Sequence, residues 1–169
     1  YNILSNNCQK ILSDLIKSGH SIGLHFDYKK YANSYAANKE ALNQCKLLQS
    51  ILKRKIEIIS FHRPSKVLLN NNKKLAGRLH TYMPKFFSEV SYCSDSGGLW
   101  KYGNPLESPA VKKGTAIQLL THAEWWQSKK NSNRKIRIRK LFNKLELNNT
   151  NYFNENFADF KKTRVKILM

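Results

Sequence analysis

The feature that most constrains the fold is an alternation of amphipathic and apolar segments over the first 61 residues. Residues 5–18 and 34–54 space their apolar side chains as helices do, whereas residues 21–26 and 56–61 are short, apolar and strand-like. The connections between these four segments are short. A helix, strand, helix, strand order of this kind is typical of a parallel α/β architecture.

The first strand-like segment ends in polar side chains that share one face. Leu24 and Phe26 alternate with His25 and Asp27, so the apolar pair faces a core and the polar pair faces away from it. A single histidine at a strand end is commonly structural. With Asp27 beside it on the same face, His25 can instead be oriented as a base or can bind a metal ion.

Three later strand-like segments also end in groups that carry chemistry. Residues 56–61 lead to His62 and Arg63, residues 90–94 lead to Asp95, and residues 115–120 lead to His122. Each could be an ordinary turn residue, but the ends of parallel strands meet on one face of a sheet or barrel. We therefore predict one shared site, with Arg63 paired to Asp95. Its histidines and carboxylates suit Zn²⁺ or a similar divalent ion acting on a carbonyl.

The chain of 169 residues carries a net charge of +19. Such a charge favours nucleic acid or an anionic membrane surface as a partner. The abundance of lysine together with asparagine is also what compositional drift would produce, and lysine far outnumbers arginine. We interpret the basic segment 129–144 as a solvated helix face and expect no nucleic acid as a partner, with nucleic-acid binding through this segment as the third functional alternative. Three widely spaced cysteines predict free thiols in a reducing, cytoplasmic compartment.

Four ordered motifs resemble those of the polysaccharide deacetylases. They are Gly-x-His at residues 23–25, His-Arg-Pro at 62–64, Ser-Asp-Ser-Gly-Gly-x-Trp at 94–100 and Leu-x-His-x-x-Trp-Trp at 120–126. The resemblance is to a divergent branch associated with bacterial surface-polysaccharide gene clusters, such as those for lipopolysaccharide or capsule. It implies an α/β fold, a distorted (β/α) barrel, and metal-dependent removal of N-acetyl groups from a sugar or polysaccharide.

The resemblance also implies roles for five residues around the substrate. His122 matches the general acid that protonates the leaving amine, and Leu120 matches the apolar residue of the acetyl-methyl pocket. Arg63 matches the arginine that restrains the catalytic carboxylate, and Asp95 matches the acid that holds this arginine. Trp100 matches the aromatic residue of the substrate groove.

The implied metal ion, expected to be Zn²⁺, has His25 as its first ligand. The family places a second histidine four residues later, and this chain has Lys29 there. His62 is our candidate for the second metal ligand. We expect Asp27 to lie behind His62 and to contact the substrate.

The family opens with an Asp-Asp pair, which would lie upstream of Tyr1, because Asp14 is the one aspartate before His25. We expect either a fragment or a chain that has lost this machinery. The expected architecture is a single, truncated catalytic domain over residues 1–169, an incomplete barrel lacking its first strand or strands. Residues 129–169 form its basic, Asn-rich helical extension. A catalytically inactive remnant or a carbohydrate-binding module is the alternative to a deacetylase.

Overall fold

A computed structural model describes residues 2–126 and 133–157. Within them the chain forms two compact units, which are described separately. The first comprises residues 2–93 and 102–119, and the second comprises residues 94–101, 120–126 and 133–157. Residues 129–132 and 158–169 of the predicted C-terminal extension lie outside the described residues.

The first unit begins with two helices whose starts follow from their capping residues. Helix α1 (Asn6–Lys17) is capped by the Ser5 hydroxyl, which accepts from the backbone N–H of Cys8 at 3.3 Å. Helix α2 (Ser34–Leu52) is capped by the Asn33 side chain, which accepts from Ala36 N at 2.9 Å. Both helices were predicted. The buried face of α2 consists of small and apolar residues, namely Ala37, Ala41, Cys45 and Leu48.

Three parallel strands form the sheet of the first unit. Strand β1 (Leu24–Phe26) pairs with β2 (Ile58–Phe61), and β2 pairs with β3 (Leu79–His80). In the β1–β2 register, His25 lies opposite Ser60 and Phe26 lies opposite Phe61. Phe26 and Phe61 are buried while His25 is exposed, as the alternation of the sequence predicts.

The approach to β1 depends on a glycine. A Cβ atom at Gly23 would lie 2.8 Å from the carbonyl oxygen of Ile58 and 2.9 Å from its Cγ2 atom. Any larger residue would push the segment before β1 away from β2. Gly23 thereby fixes how closely β1 can approach β2. His25 lies on β1, and Asp27, His62 and Arg63 follow directly after the two strands.

The sequence of residues 73–80 favours a short helix, and this prediction is wrong, because the chain turns there. Leu75 and Arg78 exchange backbone hydrogen bonds of 3.1 and 2.9 Å across a tight turn. Its two central residues, Ala76 and Gly77, have φ of 50° and 71°, and a turn with two positive φ values reverses the chain. Strand β3 follows at once.

Strands β4 (Ser91–Ser94) and β5 (Ile117–Leu120) pair with each other, and their last residues belong to the second unit. The first unit also has two short helices. Helix α3 (Pro84–Phe87) precedes β4 in the chain, and helix α4 (Pro109–Lys112) lies between β4 and β5. The second unit has a 3₁₀ turn over Ala123–Trp125 and helix α5 (Arg134–Asn156). The sequence favours a helix from Glu124 to about Lys129, and residues 127–129 of that segment lie outside the described residues.

The described strands form one sheet of three strands and one of two. The (β/α) barrel therefore stays a prediction. Over the described residues, every helix is too short or too polar to cross a bilayer.

Candidate functional site

The best-defined group of functional side chains lies in the second unit, where β4 and β5 end. The backbone N–H of His122 donates to Oδ2 of Asp95 at 3.0 Å, and His122 Nδ1 lies 2.7 Å from Oδ1. The side chain of Asp95 is 6% exposed, whereas that of His122 is 40% exposed. We call these two residues the β4–β5 pair. It joins a buried carboxylate to an imidazole that solvent can reach.

Backbone hydrogen bonds to β5 and to the glycine pair hold the Asp95 backbone in place. Asp95 N donates to Leu120 O at 3.2 Å, and Gly98 N donates to Asp95 O at 2.8 Å. Gly98 has a φ of 79°, and a Cβ atom there would lie 3.2 to 3.3 Å from the Trp125 ring. The close packing of Trp125 on this loop explains why the loop needs a glycine at this position.

The geometry of the β4–β5 pair determines which ring nitrogen can react. An ionised carboxylate only accepts hydrogen bonds, so Nδ1 of His122 carries the proton that it shares with Asp95. Nε2 then becomes the nitrogen that can take or give a proton. A carboxylate held in this way also fixes the orientation of the ring, and with it the direction in which Nε2 points. The pair can therefore serve a general acid or base.

A second group, which we call the β1–β2 cluster, comprises His25, Asp27, His62 and Arg63 in the first unit. Arg63 Nε and Nη2 donate to the two carboxylate oxygens of Asp27 at 3.2 and 2.5 Å. This hydrogen bonding, with the positive charge of Arg63, lowers the pKa of Asp27 and raises that of Arg63. Asp27 is thus held as an anion by a fork-shaped donor.

The two histidines of the β1–β2 cluster lie side by side and are exposed. Their ring centroids are 5.8 Å apart and the rings are nearly perpendicular. His25 Nδ1 lies 2.8 Å from the hydroxyl of Ser60, and the backbone N–H of His62 donates to Phe26 O at 2.9 Å. Ser60 carries no sequence signal of its own, although its place opposite His25 follows once β1 and β2 are paired.

The fit of this cluster to the expected Zn²⁺ ion is incomplete. A catalytic zinc site uses three protein ligands, and Asp27, the carboxylate of this cluster, has both oxygens on Arg63. Among residues 2–126 and 133–157, no group of three or more His, Cys, Asp or Glu side chains is placed to hold a metal ion. His25 and His62 offer two imidazoles, one ligand fewer than a catalytic zinc site uses.

The remaining predicted residues have simpler surroundings. Arg63 and Asp95 each have a partner other than the predicted one, since Arg63 binds Asp27 and Asp95 binds His122. Leu120 is half-buried at the end of β5, and Trp100 is exposed shortly after the glycine pair. Cys45 and Cys93 are buried and Cys8 is half-buried, and all three are free thiols, as predicted.

Sequence reasoning missed a groove in the first unit. It has a volume of about 940 Å³ and is lined by residues from 28–38 and 65–75. By sequence, the first stretch contains a loop rich in tyrosine and lysine, and the second contains a turn of three asparagines. The signal that could have found the groove is that both segments lack acidic residues and combine lysine with tyrosine or asparagine.

No protein-family model, curated protein or solved structure matches this chain. The likeness to the polysaccharide deacetylases therefore remains one of short motifs, and the function has to be argued from the geometry of the two groups.

Proposed function

We propose that this protein is a hydrolase that removes N-acetyl groups from a sugar of a bacterial surface polysaccharide or of its precursor. The observation that carries the proposal is the 2.7 Å contact between Asp95 Oδ1 and His122 Nδ1. The motif over residues 120–126 supplies the substrate class by resemblance. The proposal includes a cytoplasmic location, which rests on the three free cysteines.

The step assigned to the described residues is proton donation. Hydrolysis adds water to the acetyl carbonyl while one proton of that water passes to the carboxylate base that the resemblance implies, and the tetrahedral intermediate then breaks its C–N bond. The departing nitrogen takes a proton from Nε2 of His122, so the products are acetate and the free amine. Asp95 holds Nδ1 and so orients Nε2 toward the departing nitrogen. Leu120 and Trp100 keep their proposed places beside the acetyl methyl group and the sugar ring.

The test measures acetate release from N-acetylhexosamine oligosaccharides by the protein, before and after treatment with a chelator. We expect His122→Gln to lower kcat by about 10²–10⁴-fold. His20→Gln is the matched control, because His20 is exposed and lies outside both groups. Equal acetate release by the wild type and by His122→Gln would contradict the proposed role.

Zn²⁺ binding by His25 and His62 is a separate part of the proposal. Titration with Co²⁺, read by its visible absorption, tests it without any need for activity. We expect the absorption to require both imidazoles, so that His25→Ala and His62→Ala each abolish it while His20→Ala does not. Absorption that persists in both variants would place the metal elsewhere.

A carbohydrate-binding module without catalysis is the second candidate. The observation that favours it is the occupation of both Asp27 oxygens by Arg63, which withdraws one carboxylate from metal binding or base catalysis. This candidate predicts sugar binding without acetate release from any N-acetylated sugar, with or without added Zn²⁺.

A further inference from the structure

The groove of the first unit has an uncompensated positive charge. Lys29, Lys73 and Lys74 line it, and none of its described lining residues is acidic. The nearest carboxylate in sequence, Asp27, is neutralised by Arg63. The ion pairs that the structure describes involve none of the three lysines. The wall of the groove is therefore suited to a ligand that brings its own negative charge.

The groove also has aromatic walls that are anchored in the core. The Tyr31 ring is stacked on Phe26, with centroids 5.2 Å apart and planes 5° from parallel. The Tyr28 ring meets Phe61 edge-on at 6.2 Å. These contacts fix the two rings before any ligand arrives, which lowers the entropy cost of binding.

Tyr35 provides a free aromatic face at the groove. It stands in the first turn of α2 and is 78% exposed, an unusual state for so large an aromatic side chain. Exposed tyrosines pack well against ligands that have both apolar C–H faces and hydroxyl groups. Sugar rings have this combination.

Asparagines at the groove are fixed by hydrogen bonds to the backbone, through both amide groups in Asn71 and through one in Asn38. Asn38 Oδ1 accepts from Ala76 N at 2.7 Å, so its Nδ2 group is the part that can donate to a ligand. Asn71 Oδ1 accepts from Lys73 N at 2.8 Å, a contact that shapes the turn leading to the two adjacent lysines.

We propose that this groove binds an acidic saccharide, with the carboxylate or phosphate at the lysines and a sugar ring against Tyr35. The proposal concerns binding and does not depend on deacetylation. Nucleic acid is the competing polyanion. The cations of the groove are all lysines, which offer point charges rather than the planar forks that arginine presents to bases and phosphates. Its amides and hydroxyls suit sugar hydroxyls.

The test measures binding of fluorescein-labelled hexagalacturonate to the full chain, by anisotropy at low and at moderate salt. Parallel arms use maltohexaose as the neutral sugar, a phosphorylated maltohexaose as the second anion source, and a thymidine heptamer as the nucleic acid. We expect both anionic sugars to bind more tightly than maltohexaose, with an affinity that falls as salt rises. Tighter binding of the thymidine heptamer than of either anionic sugar would overturn the choice of ligand.

The lysines are tested by Lys73→Ala/Lys74→Ala, which should weaken hexagalacturonate binding by at least about tenfold. The matched control is Lys112→Ala/Lys113→Ala, which removes an equally exposed adjacent pair away from the groove. Lys29→Gln provides a second, milder variant whose folding is not in question. If the control pair weakens binding as much as the groove pair, the affinity comes from net charge and the groove proposal fails.

Tyr35→Ala should weaken binding, whereas Tyr35→Phe should retain most of it, because the ring face is kept. Equal binding by wild type and Tyr35→Ala would remove the sugar-ring contact from the proposal. His122→Gln should bind hexagalacturonate as the wild type does. Binding without acetate release from any substrate would therefore end the proposed deacetylation and leave the groove intact.

Discussion

The β1–β2 cluster and the β4–β5 pair both place an aspartate at a strand end, and they differ in the group that meets it. Asp27 faces an arginine near the surface, whereas Asp95 is buried and faces a histidine. A guanidinium stays protonated at any working pH, so the first contact can hold charge but cannot move a proton. An imidazole changes its protonation near neutrality, so the second contact can.

This difference shows that a strand-end aspartate does not by itself indicate a reactive site. What decides its chemistry is the partner and how far water is excluded. The buried Asp95 accepts two hydrogen bonds from one residue, which fixes the position and the tautomer of His122. The Arg63–Asp27 contact instead gives an orienting anchor for the loop after β1.

The largest expected stability effect separates the two aspartates. Asp95→Ala should lower the free energy of unfolding by about 2–3 kcal/mol, because it removes two hydrogen bonds to a buried carboxylate. Asp27→Ala should cost much less, because water can solvate the exposed Arg63. Urea unfolding of the two variants checks this order. A greater loss in Asp27→Ala than in Asp95→Ala would reverse the comparison.

The next effect tests the spacing of the strands beneath the β1–β2 cluster. Gly23→Ala should destabilise the protein by about 1–3 kcal/mol, because its Cβ atom would meet backbone at Ile58. Ser21→Ala, an exposed position in the same segment, is the control. Thermal unfolding followed by circular dichroism measures both. A Gly23→Ala protein as stable as the control would show that β1 can shift without cost.

A smaller effect concerns a buried histidine on β3 beside this cluster. Burial lowers the pKa of His80, whose Nε2 lies 3.2 Å from Lys73 O and whose Nδ1 has no partner among the described residues. As the pH falls, His80 therefore binds a proton in the unfolded chain before it does so in the folded chain. The free energy of unfolding has its full value above pH 6.5 and declines as the pH falls below it. The decline is at most about 1.4 kcal/mol per pH unit.

His80→Leu should remove this part of the pH dependence, and His20→Leu, at an exposed position, should not. Urea midpoints between pH 7 and pH 5 give the measurement. An unchanged pH slope in His80→Leu would mean that His80 does not stay neutral in the fold.

The smallest effect is on the ionisation of Asp27. Arg63→Met should raise the pKa of Asp27 toward its ordinary value of 3.8, because it removes the hydrogen bonds that lower that pKa. The stability that the lowered pKa of Asp27 contributes to the wild-type fold is present above pH 3.8 and is lost as the pH falls below that value. Carboxylate carbon shifts in an NMR titration report the change. Arg54→Met is the control, and an equal shift in both variants would point to net charge alone.

Local pattern was enough to predict much of the fold. The spacing of apolar residues predicted α1 and α2, and alternation predicted which face of β1 carries His25. Strand β3 could not be predicted in this way, because a strand of two residues is too short to show an alternation of apolar and polar side chains. The positive φ values of Ala76 and Gly77 replaced a plausible helix by a turn.

Partners were harder to predict than positions. Each of Asp27, His62, Arg63, Asp95 and His122 was correctly placed at or just after the end of a strand-like segment. The partner of Arg63 depends on which strand lies beside β2, and that strand is β1, which carries Asp27. Strand order is a property of the whole sheet, and no single segment encodes it.

The most direct test of the account is the tautomer of His122. Long-range ¹H–¹⁵N correlation spectra distinguish a protonated Nδ1 from a protonated Nε2, and loss of the signals in His122→Gln assigns them. The account predicts that neutral His122 carries its proton on Nδ1, against Asp95, with Nε2 unprotonated. A neutral His122 protonated on Nε2 would contradict the account, because Asp95 would then not set the nitrogen that exchanges a proton with substrate.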